Sequence, residues 1–85
     1  MRATAYWVLD QELPRRPRVD FEFCRALREH AGRPVAGPVF ADRWEAHLLR
    51  EATRRWLRAR EPGRRVRLLV VREPSGFRVV GCLDP

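Results

Sequence analysis

Residues 43–60, RWEAHLLREATRRWLRAR, limit what this chain can fold into more than any other stretch. Asp42 precedes them as an N-cap, and Glu45 stands three residues on, which is the D-x-x-E form of a capping box. Pro62-Gly63 closes the other end. The segment therefore reads as one helix of about five turns. At about 100° per residue, Leu48, Ala52, Trp56 and Ala59 gather on one side. Arg43, His47, Arg50, Arg54 and Arg58 gather on the opposite side, while Leu57 and Arg55 fit neither stripe. The apolar stripe is expected on a core, and the basic stripe in solvent or against a partner.

A helix with one apolar side needs a second layer to bury it. The following residues supply one. Val66–Arg72 and Phe77–Leu83 are rich in β-branched residues and flank Glu73-Pro-Ser-Gly76, so they read as a β-hairpin. Pro74 suits the second position of a type I turn, and Gly76 the left-handed position after it. If Arg72 pairs with Phe77, Val70 faces Val79 and Leu68 faces Gly81. One sheet face then carries Val66, Leu68, Val70, Val79 and Leu83. The other carries Leu69, Val71, Val80 and Cys82, with Arg67 and Arg78. Two helices cover one face of a small sheet, so the Leu69, Val71, Val80, Cys82 set is expected to be an interface. An N-terminal strand or a second copy of the chain would cover it.

Upstream, Ala3–Leu9 has the aromatic and β-branched content of a strand, and Asp10–Val19, with Pro14 and Pro17, reads as an extended loop. Asp20 is a good N-cap for a helix over Phe21–Ala31, stopped at Gly32. The stretch GRPVAGPVF, residues 32–40, reads as a connector because it carries two Gly and two Pro. A length of 85 residues holds one domain, taken as 1–85. The expected fold is α+β: a two-layer sandwich in the order β-α-α-β-β, with a three-stranded, mainly antiparallel sheet packed by two helices. That element order is similar to the one in RelE/ParE-type toxins. The family's C-terminal catalytic Arg, Tyr and His have no counterpart in Gly81–Pro85, so a toxin-like RNase is only the enzymatic option. Pro38–Ala46 resembles a structural segment near the start of nitrile hydratase β subunits and their accessory proteins, over nine residues of the 85.

All 18 basic residues are Arg, which reads partly as GC-rich genome composition, and 11 acids leave a net charge of +7. Position is therefore more informative than the total. Residues 50–67 hold eight Arg and two acids. Such a concentration attracts phosphate or an acidic protein. The candidate nucleic-acid-binding set is Arg43, His47, Arg50, Arg54 and Arg58 on the helix, with Arg64 and Arg65 after it. Glu51 is spaced to pair with Arg55 in the favourable i,i+4 order. Trp44 and Trp56 fall on or near the helix's core side; Trp7, Phe21 and Tyr6 are the more plausible exposed rings, although core packing is the first expectation for them too.

Cys24, His30, His47 and Cys82 have no metal-site spacing, and the two thiols read as small buried hydrophobes. No nucleophile elbow, phosphate loop or dinucleotide fingerprint occurs, so neither catalysis nor a cofactor is expected. No signal peptide or apolar run of membrane length is read, which makes the expected setting cytoplasmic, with no membrane partner. The first functional expectation is a small nucleic-acid-binding or nucleic-acid-associated regulatory module using the Arg/His face of the second helix. The alternative is a protein-interaction module, a small inhibitor or adaptor, acting through the second sheet face on an acidic partner or as a homodimer.

Overall fold

In this computed structural model residues 18–85 are described, so the strand expected at Ala3–Leu9 lies outside them. Five elements follow in order: α1 (Phe21–Glu29), β1 (Val35–Phe40), α2 (Arg43–Arg60), β2 (Val66–Glu73) and β3 (Gly76–Leu83). The strands form one antiparallel sheet in the order β1-β3-β2. Both helices pack on one face of it, α1 over β1 and β3, α2 mainly over β2 and β3. The α+β class, the three-stranded antiparallel sheet and the two packed helices agree with the sequence.

The third strand comes from an unexpected place. Residues 32–40 are not a plain connector, because β1 lies within them. Val35 pairs with Gly81 and Ala36 with Val80; the register then shifts, and Val39 pairs with Arg78 and Phe40 with Phe77. The shift takes up Gly37-Pro38. An edge strand tolerates a proline that a central strand would reject.

Asp20 starts α1 by accepting from the Phe23 N–H at 3.0 Å, and α1 ends two residues earlier than expected. Asp42 starts α2 by accepting from the Trp44 N–H at 3.0 Å. The bounds of α2 match the sequence, but its rotation does not. The buried residues are Ala46, Leu49, Ala52, Thr53 and Leu57, while Ala59 is exposed and Leu48 and Trp56 are half-buried. The core-facing side is turned by about 100° from the apolar stripe. Thr53 explains the misreading. Its hydroxyl donates to the Leu49 carbonyl at 2.7 Å, so a polar residue is satisfied within the helix and lies in the core.

The hairpin has the expected register, including Val70 with Val79 and Leu68 with Gly81. It runs one pair further, Glu73 with Gly76, which tightens the turn to Pro74-Ser75. Gly76 takes φ +142°, and a Cβ there would lie 2.3 Å from the Phe40 carbonyl oxygen. Gly81 is the second obligatory glycine. A Cβ on it would lie 2.6 Å from Leu68 Cδ2 and 3.1 Å from Leu27 Cδ2, so its bareness lets α1 settle on the central strand. The resulting core joins Phe23 and Leu27 of α1, Leu49 and Leu57 of α2, and Leu68, Val79 and Leu83 of the sheet.

Candidate functional site

Two surfaces deserve a functional reading: the basic flank of α2 and the sheet face turned away from the helices. On α2, Trp56 marks the flank next to α1. Its ring meets Phe21 edge-on at 5.8 Å, and the guanidinium groups of Arg28 and Arg60 sit 5.9 and 4.2 Å from its centre. His47, Arg50 and Arg54 lie on the other flank, away from α1 and toward the free edge of β2.

The basic residues there differ in what holds them. The side chains of Arg50 and Arg54 are 28% and 25% exposed, and both turn to Glu51, at 3.5 and 3.0 Å. Glu51 thus serves these two rather than Arg55, the partner its spacing suggests. Arg50 Nε is buried without a hydrogen-bond partner. Arg43 lies over the Phe77 ring at 5.4 Å. His47 is half-buried, and Arg58 and Arg65 are exposed. Arg64 belongs to a junction instead. Its Nε donates to the Asp84 carbonyl at 2.9 Å and its Nη1 to Glu61 at 3.1 Å. Glu61 also accepts from Arg28 at 2.8 Å. The Arg64 hydrogen bond, with Arg28 beside it, holds the Glu61 carboxyl below its ordinary range. The structure therefore strings Arg43, His47, Arg50, Arg54 and Arg58 along one helix, but Glu51 stands among them, and Arg64 is turned to other work.

The outer sheet face has the opposite character. Leu69 is 62% exposed and Val39 37%, while Val71, Val80 and Cys82 are half-buried. Neither helix reaches this side. Its charges are matched among themselves: Arg78 donates to Glu73 at 2.7 Å and to the Gly37 carbonyl at 2.8 Å, and Arg67 lies 3.6 Å from Asp84. The hydrogen bond it gives to Glu73 raises the Arg78 pKa further. The surface is apolar at its centre and close to neutral around it. Val39 was missed in the sequence because β1 was missed; once that strand is known, its pairing puts Val39 on the outer face beside Arg78, and Ala36 beside Val80.

A groove of about 990 Å³ opens between the start of α1, the end of β1 and the first half of α2, lined by Phe21, Phe40, Leu48 and Leu49. Trp44 and Phe21 are exposed. Trp44 and Phe21 therefore both depart from the expectation of core packing. His30 is exposed at the end of α1, and among the described residues no three His, Cys, Asp or Glu side chains come together as metal ligands. Cys24 is fully buried, and that burial, with Asp20 adding to it, pushes its thiol up to about 11. It is a protonated, unreactive group. No helix among the described residues is long and apolar enough to cross a membrane. No family model, no curated protein and no solved structure matches the chain, so neither the toxin-like element order nor the Pro38–Ala46 segment gains a relative.

Proposed function

We propose that this chain is a small protein-interaction module that holds a partner protein against the outer face of its sheet. One observation carries the reading: Leu69 is 62% exposed on an apolar face that neither helix covers. Fully burying a leucine side chain is worth on the order of 1.5–3 kcal/mol, and Val71 and Val80 adjoin it, with Cys82 diagonal to it. Patches of this kind mark association sites. The pairing of Arg78 with Glu73 and of Arg67 with Asp84 leaves the face little to offer a phosphate. A protein surface suits it better.

Nucleic-acid binding along α2 is the second reading. Arg58 and Arg65 favour it, since both are exposed and have no acidic partner among the described residues. Glu51 weighs against it, because its exposed carboxylate stands on the outward side of the row, opposite the core, where a phosphate backbone would lie.

A photo-reactive residue placed at Leu69, at Arg58 or at Arg25 in the producing cell separates the readings. The expected result is a nuclease-resistant protein adduct from position 69 and none from position 25. A self-adduct from 69 would make the partner a second copy of the chain. Nucleic acid captured from position 58, with no adduct from 69, would reverse the order of the two readings.

A further inference from the structure

We infer that the partner contributes an extended segment, alternately acidic and apolar, that pairs with the free edge of β2. This rests on the outer-face reading, and it begins from size. Strands of six, eight and eight residues, at roughly 4.8 Å between strands and 3.4 Å per residue, present a face of roughly 360 Å². A stable interface takes about 800 Å² from each partner. A partner seated on this face must extend past one of its borders.

The two borders differ. The β1 edge carries Pro38 and the register shift between Ala36 and Val39, both of which discourage another strand from adding there. The β2 edge pairs with β3 through eight successive residues with no shift, and its middle, Leu68–Val71, has no proline, glycine or charge. Among the described residues, nothing pairs with its other side. An unguarded edge of this kind is the standard seat for strand addition.

The pattern of the added strand follows from what flanks that edge. Side chains alternate between the two faces of a sheet. One set of the partner's side chains continues the outer face beside Leu69 and Val71, and these should be apolar. The other set points into the helix layer, toward the flank of α2 that carries His47, Arg50, Arg54 and Arg58, and these should be acidic. Arg50 is poised to change partners. Its contact with Glu51 is 3.5 Å long and its Nε has no acceptor, whereas a carboxylate can take two guanidinium N–H groups at once. A second copy pairing edge to edge would bring two such Arg rows together, which disfavours it. Nucleic acid has no peptide groups to pair with the edge.

The test uses the whole chain and a synthetic peptide of about ten residues alternating Asp and Val, with a block peptide of the same composition as the control. The alternating peptide should slow amide exchange in β2 and bind about tenfold or more tightly than the block peptide. Arg54→Glu and Arg58→Glu, on half-buried and exposed sites, should each weaken it by about tenfold. Equal binding of the two peptides, or unchanged exchange in β2, overturns the inference. So does displacement by a single-stranded RNA oligonucleotide at comparable affinity. Slowing of β2 exchange with protein concentration alone would assign the edge to a second copy and also overturn it. The photo-adduct at Leu69 reports separately: if it forms while the peptide fails, the edge inference falls and the outer-face reading stands.

Discussion

β3 runs through the centre of the sheet, and its alternate residues meet two environments. Val79, Gly81 and Leu83 are buried under the helices, while Val80 and Cys82, equally apolar, are only half-buried on the other side. The same contrast holds in β2, between buried Leu68 and exposed Leu69. Hydrophobicity does not separate the two faces; the reach of the helices does. The inner face is apolar because the fold needs it. Leu69 is 62% exposed, so the outer face gains little from it in the isolated chain, which is the contrast on which the proposed association rests.

Damage to the inner face should have the largest effect. Leu27→Ala removes a fully buried side chain from the contact between α1 and the sheet and should cost about 2–5 kcal/mol in urea unfolding. Gly81→Val should be worse, because the new Cβ has no room beside Leu68, and loss of the cooperative transition is the expected readout. A wild-type midpoint in either variant would mean that the inner face is not the core.

Weakening the helix layer is milder. Asp42→Ala removes the acceptor that holds the Trp44 N–H at the start of α2 and should cost about 1 kcal/mol by the same measurement. Binding at the outer face should be unchanged per folded molecule. Leu69→Ser tests the contrast from the other side. Its stability should stay within about 0.5 kcal/mol of wild type, while the photo-adduct from a probe at Val39 disappears. A large loss of stability would show that Leu69 serves the fold after all.

The smallest perturbation needs no mutation. Cys82 on the outer face should react with a thiol reagent at pH 8, and Cys24 should resist until the chain unfolds. The thiol of Cys24 keeps its proton to about pH 11 in the fold, against an ordinary value of 9.0, so the folded state binds the extra proton. Its contribution is therefore complete below about pH 9 and declines as the pH rises from 9 toward 11. A bound partner should protect Cys82 and leave the slow rate of Cys24 unchanged. Equal rates for the two thiols would contradict the assignment of the faces.

The hairpin and the span of α2 were readable from the sequence because their signals are local: a turn between two β-branched runs, and an acid before and a Pro-Gly after one helical period. Two features were not. β1 is held by pairing with a strand far along the chain, and its own Gly37 and Pro38 argue for a loop. The rotation of α2 was obscured because Thr53 looks polar until its hydroxyl is seen bonded to Leu49, and because Trp56 looks like core although α1 covers only part of it. Of the basic row, sequence placed the residues on one flank of the helix. That Glu51 holds Arg50 and Arg54, and that Arg64 is tied to Asp84, depends on side-chain choices that spacing does not determine.

The strand order β1-β3-β2 also sets a timetable for a chain leaving the ribosome. Both outer strands pair only with β3 among the described residues, and β3 is the last of the described elements to be made. Until it emerges, β1 has no neighbour to pair with among the described residues, and the apolar sides of both helices lack the central strand of their sheet. Growth of the chain therefore brings little stepwise ordering. The layers close together when the segment from Gly76 to Leu83 comes free, and a message cut short before it would yield a product exposing Leu27, Leu49 and Leu57 to whatever binds unfinished chains.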